Sequence, residues 1–95
     1  MEVWKVVSRN ENYEVSNLGN IRNKKTKRHL KPNATKSHRQ VQVFLYSPYW
    51  RHSEQFTLSR LVYNAFARNE LEMNQRIGHK DGDIFNNRFE NLFVY

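Results

Sequence analysis

Residues 77–95 read IGHKDGDIFNNRFENLFVY, and this stretch decides how the fold is interpreted. It contains a histidine, an Asp-Gly pair, a doubled asparagine and a closing Asn-Leu. Aspartate and asparagine side chains bond nearby backbone groups, and glycine tolerates positive φ, so Asp81-Gly82 is typical of a tight turn. The stretch therefore predicts a hairpin with strands over 77–80 and 84–85, followed over 86–92 by one or two helical turns.

An amphipathic helix is predicted upstream of this stretch. Ser59 has the side chain of an N-cap, and the helix is expected to end near Arg68. The apolar residues after the cap recur at helical spacing, so they share one face that is expected to be buried. These residues are Leu61, Val62, Ala65 and Phe66.

A two-stranded ribbon is predicted before the helix. Residues 40–46 alternate at period two in their first part and give the clearest strand pattern in the chain. Residues 47–52 contain a proline and predict a turn, and residues 55–58 predict the returning strand.

The beginning of the chain also favours strands. Short strands are predicted over 2–7 and 13–15, a turn over 16–20, and a return strand over 29–31. The fold class is therefore α+β, with a small strand-rich half (1–46) and a second half (47–95) in one compact domain. Besides the helical face, the residues expected in the core are Trp4, Tyr13, Phe44, Phe85, Phe89 and Leu92.

Composition narrows the class of protein. The chain has 95 residues, which suits one small domain, and no cysteine, which excludes disulfides and thiolate zinc sites. No apolar run approaches the roughly 20 residues of a membrane span, and no signal peptide opens the chain. We expect a soluble, intracellular protein.

Positive charge is concentrated in the first half. The formal net charge is +7, and no acidic residue lies between Glu14 and Glu54. Such a block predicts a polyanionic partner, because each phosphate neutralised releases condensed counterions. The block lacks the apolar face that a membrane helix needs, so double-stranded DNA is the expected partner. The candidate DNA-binding residues are Arg22, Lys24, Lys25, Lys27, Arg28, Lys31, Lys36, Arg39 and Arg51.

Aromatic residues adjoin this block. Tyr46, Tyr49 and Trp50 lie next to Arg51 and His52 on or beside the predicted turn. Two interpretations stay open: the rings stack on bases, as aromatic side chains do in single-strand binding proteins, or they close the sheet.

Four groups of residues occur in an order that is known from one family. They are Trp-Lys at 4–5 with YEVSNLGNIR at 13–22, Leu-Lys-Pro at 30–32, RLVYNAF at 60–66, and HxDGDxxNNxxxNL at 79–92. In these groups the chain resembles phage-type HNH homing endonucleases with their N-terminal nuclease-associated module. The resemblance covers nearly the whole chain. It implies a strand-rich N-terminal half followed by an HNH half of the ββα-metal kind.

The resemblance also implies a site. HNH enzymes use one divalent metal to polarise the scissile phosphate and a histidine to deprotonate the attacking water. His79 occupies the position of that general base. Asn86, Asn87 and Asn91 match the family's asparagines and are expected to hold the turn through backbone hydrogen bonds.

Departures from the family pattern predict a degenerate site. Gly78 stands where the family has a metal-binding Asp or Asn, and Ser59 stands where the family has His. The chain ends at Tyr95, before the helix that carries the family's last metal ligand. The expected cofactor is therefore none, or a weakly bound Mg²⁺ or Mn²⁺. Asp81 and Asp83 are weak candidate ligands, and the alternative is that they only shape the turn.

Three functions follow from these observations. The first is a phage or mobile-element DNA-binding protein with lost or strongly reduced cleavage. The second is an active, metal-dependent DNA-nicking endonuclease. The third is a dead scaffold that inhibits a host defence, nuclease or transcription protein. The expected location is the cytoplasm of an infected bacterium, and the apolar end Phe93–Tyr95 leaves open a monomer or a dimer that pairs there.

Overall fold

The first half of the chain forms a three-stranded sheet. The computed structural model describes residues 1–32 and 40–95. The sheet is antiparallel, in chain order, and consists of β1 (Trp4–Val6), β2 (Tyr13–Ser16) and β3 (Ile21–Asn23). Val15 lies opposite Ile21. Both side chains are buried, because alternation along the strands sends them to the same face.

The predicted turn between β2 and β3 is confirmed, and a serine holds it. The hydroxyl of Ser16 accepts hydrogen bonds from the backbone N–H of Leu18 (3.3 Å) and of Asn20 (3.1 Å). Gly19 has φ +87°, a backbone conformation that residues with a Cβ rarely adopt. The predicted return strand after β3 is reduced to a single bridge at His29.

The predicted ribbon and helix are both present. They are β4 (Gln42–Ser47), β5 (His52–Thr57) and α1 (Leu58–Phe66). Val43 and Leu45 point into the core, so Phe44, which lies between them on the strand, faces outward and is 50% exposed. The prediction that Phe44 is a core residue was therefore wrong. No helix in the described part of the chain has the length and apolarity needed to cross a bilayer.

The predicted N-cap was wrong. The helix begins at Leu58, so Ser59 lies inside its first turn and is buried. Its hydroxyl donates a hydrogen bond of 3.1 Å to Oε1 of Gln40. The N-cap position falls on Thr57, whose side chain makes no capping bond. Ser59 therefore joins the helix to the entrance of β4.

The predicted hairpin around Asp81-Gly82 was also wrong. The strand β6 (Ile77–His79) pairs with β7 (Leu92–Val94), and not with residues 84–85. Between the two strands runs a loop that ends in a short 3₁₀ turn, Phe89–Asn91. Phe85 lies in that loop and is 68% exposed, so it does not belong to the core.

One apolar core serves both halves of the chain. Among the described residues, it contains the buried side chains of Val7, Val15, Ile21, Val41, Val43, Leu45, Leu58, Leu61, Val62, Ile77 and Leu92. Tyr13, Phe66 and Phe89 pack at its margin. The Cα radius of gyration is 12.7 Å, close to the value of about 13 Å typical of a single 100-residue domain.

The two halves also interlock through their backbones. The N–H of Phe89 donates to the carbonyl of Asn17 at 2.8 Å. Gly19 lies so close to Asn87 that a Cβ on it would be 2.8 Å from the Asn87 carbonyl carbon. The turn after β2 therefore supports the loop between β6 and β7.

Candidate functional site

His79 is the last residue of β6, and one asparagine fixes its ring. Its Nε2 lies 2.8 Å from Oδ1 of Asn87, which is only 3% exposed. The amide nitrogen of Asn87 donates to the carbonyl of Ile84 at 3.0 Å, so the amide oxygen must face the imidazole. In the neutral imidazole this contact therefore favours the tautomer with the proton on Nε2.

Asp81 is the centre of the loop between β6 and β7. Its Oδ1 accepts hydrogen bonds from the backbone N–H of Asp83 (2.9 Å) and from the amide of Asn91 (2.9 Å), and its Oδ2 accepts from the amide of Asn86 (2.7 Å). These bonds, led by that from Asn86, lower the pKa of Asp81 to about 2. The Asp83 carboxylate in turn accepts from the N–H of Phe85 at 2.9 Å. Both aspartates are thus used in shaping the loop.

Gly78 is covered by an aromatic ring from the opposite strand. Gly78 and Phe93 are direct partners in the β6–β7 pair. A Cβ on Gly78 would lie 2.7 Å from Cε1 of Phe93 and closer still to Cζ. The space in which a side chain at this position would begin is therefore filled by the Phe93 ring.

Around His79, the described residues offer few side-chain donors for a divalent cation. Gly78 has no side-chain donor, and both oxygens of Asp81 accept hydrogen bonds within the loop. Across residues 1–32 and 40–95, no group of three His, Asp or Glu side chains lies close enough to hold a metal ion.

Two of the candidate DNA-binding cations are engaged inside the N-terminal half. Arg22 Nε lies 2.9 Å from the carboxylate of Glu14, and Lys27 Nζ lies 3.2 Å from the same oxygen. The guanidinium of Arg22 also stacks over the ring of Trp4 at 3.8 Å from its centroid. Arg22 therefore stabilises the sheet. Its partner Glu14 lies opposite it across the β2–β3 pair, which the sequence alone did not show.

The other candidate DNA-binding cations that the structure describes are exposed. They are Lys24, Lys25, Arg28 and Lys31, around and beyond the tip of the β2–β3 hairpin, and Arg51 in the β4–β5 turn. The φ of Arg51 is +56°, which fixes the turn at an energetic cost. Lys36 and Arg39 lie outside the described residues.

The β4–β5 turn also presents aromatic rings to solvent. Tyr49 is 83% exposed and Trp50 is 68% exposed, and their rings meet edge to face with centroids 4.9 Å apart. The interpretation that these two rings close the sheet was therefore wrong.

A cleft lies between the tip of the β2–β3 hairpin and the beginning of the β4–β5 turn. Its volume is about 530 Å³, and Glu11, Asn12 and Tyr13 contribute to its lining. Sequence analysis did not identify Glu11 or Asn12 as site residues, because no local pattern connects them to a turn more than thirty positions away.

Known proteins resemble this chain in sequence and in fold. Residues 2–46 match the family model described as the NUMOD4 motif. An uncharacterized HNH endonuclease of Acanthamoeba polyphaga mimivirus is 34% identical over 89 residues, which are 94% of this chain and 26% of that protein. The chain therefore spans about a quarter of that relative's length.

A solved structure agrees with the sequence comparison. It is described as DNA binding and cleavage by the HNH homing endonuclease I-HmuI, and it superimposes with a TM-score of 0.84 at 29% identity. The match covers 98% of this chain and 52% of that one. Taken with the NUMOD4 motif and the mimivirus relative, it shows that this chain is similar in sequence and fold to HNH homing endonucleases.

Proposed function

We propose that this chain is a DNA-binding protein of HNH descent whose strand cleavage is lost or strongly reduced. Binding is supported by the net charge of +7 and by exposed cations such as Lys24, Lys25 and Arg28. Such contacts to phosphates provide affinity and register without reading sequence.

The observation that carries the loss of cleavage is the Phe93 ring against Gly78. In the HNH homing endonucleases that this chain resembles, the residue before the histidine is commonly an Asp or Asn that holds the metal. Here that residue contributes no donor, and the ring of Phe93 fills the adjacent space. Asp81, the nearest carboxylate by sequence, is engaged by three hydrogen bonds. A cation bound only by phosphate and water would be held weakly.

The second candidate function is metal-dependent nicking, and the His79–Asn87 pair favours it. The ring is held at 2.8 Å by Asn87 with Nδ1 available to take a proton from water. In the neutral ring this arrangement leaves Nδ1 unprotonated, as a general base requires.

A supercoiled-plasmid assay distinguishes the two candidates. The protein is tested in excess with Mg²⁺ and with Mn²⁺, beside His79→Ala prepared identically and a sample containing EDTA. We expect no nicking above the level of His79→Ala. Nicking that disappears both in His79→Ala and with EDTA would establish the enzyme and refute the loss of cleavage.

Duplex binding is tested separately, without metal. We expect a labelled duplex to bind at low salt and to be released steeply between about 50 and 200 mM salt. Flat binding over that range would contradict the proposal that phosphate contacts dominate.

A partner protein is the remaining proposal, and the exposed Tyr49–Trp50 pair favours it. Exposed aromatic residues are enriched at the centres of protein interfaces. Capture of one stoichiometric protein that resists nuclease treatment, and its loss in Trp50→Ala, would support this proposal. Recovery of nucleic acid alone would exclude it.

A further inference from the structure

The cleft beside the β2–β3 tip is fixed by two hydrogen bonds. The backbone N–H of Tyr46 donates to the hydroxyl of Tyr13 at 3.2 Å, and the amide of Asn10 donates to the carbonyl of Tyr46 at 3.0 Å. These bonds tie the β4–β5 ribbon to the loop before β2. The cleft of about 530 Å³ is therefore formed before any ligand enters it.

The lining of the cleft combines an aromatic surface with positive charge. Tyr46, which is 47% exposed, and Pro48 line it together with Lys24 and Lys25. Within residues 1–32 and 40–95, the ion pairs are those of Glu14 with Arg22 and Lys27, so neither lysine of the cleft is neutralised there.

Polar groups that can meet the edge of a base complete the lining. Asn12 brings a side-chain amide, which can both donate and accept, and Glu11 brings a carboxylate, which accepts from exocyclic amines. An apolar ligand would leave these groups unpaired, and an acidic peptide would leave the ring of Tyr46 without a stacking partner. A nucleotide within a strand can pair with the polar groups and also stack on Tyr46, because it presents a flat base between two phosphates.

We propose that the cleft receives one unstacked nucleobase of a bound DNA strand. The base stacks on Tyr46, its polar edge meets Asn12 and Glu11, and the flanking phosphates contact Lys24 and Lys25. This inference rests on the proposed DNA binding and adds a preference to it. The unstacking cost is least for a base that is already unpaired, so DNA with an extrahelical nucleotide is preferred over a perfect duplex.

The test compares two labelled duplexes by fluorescence anisotropy, one perfect and one with a single extrahelical nucleotide. We expect the intact protein to bind the second about tenfold more tightly, a factor typical of stacking one base on an aromatic side chain. Tyr46→Ala abolishes this preference, and Tyr46→Phe retains it because the ring remains. The backbone bonds of Tyr46 persist in both variants.

Phe44→Ala is the matched control. Phe44 lies two residues earlier on β4, faces the same side, and is 50% exposed against 47% for Tyr46, but it does not line the cleft. We expect Phe44→Ala to keep the preference. An equal loss in both variants would assign the effect to the whole outer face of the ribbon and overturn the cleft as the base site.

A second readout uses 2-aminopurine as the extrahelical base. Stacking on Tyr46 is expected to quench its fluorescence in the intact protein and in Phe44→Ala, but not in Tyr46→Ala. The absence of any preference or quenching, with normal binding of the perfect duplex, would overturn the inference and leave the proposed function standing. If neither duplex binds, the proposed function itself fails, and the cleft inference fails with it.

Discussion

Gly19 is the residue at which backbone conformation and packing coincide. Its φ is +87°, and a Cβ there would lie 2.8 Å from the carbonyl carbon of Asn87. Gly82 has a similar φ of +75° but nothing within 4 Å of its Cβ position. The two glycines therefore separate the cost of an unfavourable φ from the cost of a backbone collision.

We predict that Gly19→Ala destabilises the protein much more than Gly82→Ala. Gly82→Ala costs about 1–2 kcal/mol, the penalty of a left-handed residue with a Cβ. Gly19→Ala adds to this penalty a displacement of the Asn87 backbone, since overpacking typically costs about 1–3 kcal/mol. Urea denaturation measures both. Equal losses would mean that the turn after β2 does not support the loop.

Asp81 is predicted to make stability depend on pH in the acid range. Its pKa falls from 3.8 to about 2 on folding, so it favours the folded state above pH 3.8 and loses that effect as the pH falls through about 2. Asp81→Asn lacks this titration and two of its acceptor sites. The stability difference between the two proteins is therefore expected to be constant near neutrality and to shrink between pH 4 and pH 2.

The measurement is thermal unfolding of both proteins at several pH values. Glu90→Gln is the control, because it removes an exposed carboxylate outside the Asp81 network. A wild-type pH dependence that Asp81→Asn reproduces in full would contradict the assigned role of Asp81.

At the scale of elements, the pairing of β6 shows the limit of local patterns. The Asp-Gly pair at 81–82 does form a turn, as predicted, and the N–H of Gly82 donates to the carbonyl of His79 at 2.9 Å. The sequence did not reveal that the Asp81 carboxylate also gathers the amides of Asn86 and Asn91. These bonds hold residues 80–91 in a loop, so the strand that pairs with β6 is β7, which begins only at Leu92.

Alternating elements were predicted more successfully than caps and partners. β4 and α1 lie close to where the period-two and helical patterns indicate, because burial of one face follows directly from spacing. The returning strand β5 begins at His52, three residues earlier than predicted. The start of the helix could not be placed as well, since Ser59 has the chemistry of a cap but finds a buried partner in Gln40. A side chain with two possible partners is assigned only by tertiary contacts.

The β6–β7 pair gives a prediction on the coupling of Gly78 with Phe93. Gly78→Ala must push away the end of the Phe93 ring, which is 41% exposed and can swing outward, so the expected loss is about 1 kcal/mol. In the background of Phe93→Ala the same change meets no ring. A double-mutant cycle is expected to give a coupling energy of at least about 0.5 kcal/mol. Additive losses of stability would contradict the contact between Gly78 and the Phe93 ring.

At the scale of the whole molecule, the charge was predicted from composition, but its distribution was not. The basic block suggested a continuous track of nine cations, whereas Arg22 and Lys27 bind Glu14. The acidic partner lies just outside the block in sequence and across a strand pair in space. Sequence analysis therefore overestimated the number of unpaired cations in the basic block.

The salt dependence of duplex binding is predicted to separate free from engaged cations. Lys24→Gln combined with Lys25→Gln is expected to reduce the slope of log K against log salt by about 2, since each phosphate contact contributes about 0.9. Arg22→Gln is expected to leave the slope unchanged and to lower stability instead. An unchanged slope in the double variant would show that the β2–β3 tip does not touch DNA.

The contact of Gly19 with Asn87 also bears on how genes of this family can recombine. A crossover between the codons for residues 46 and 47 would join an N-terminal half from one parent to a nuclease half from another. The chimera would keep its stability only if the incoming turn kept a glycine at position 19 and a carbonyl in register with the N–H of Phe89. Compatibility of the two parents therefore depends on a backbone junction, and a hybrid with a mismatched junction is expected to be the less stable one.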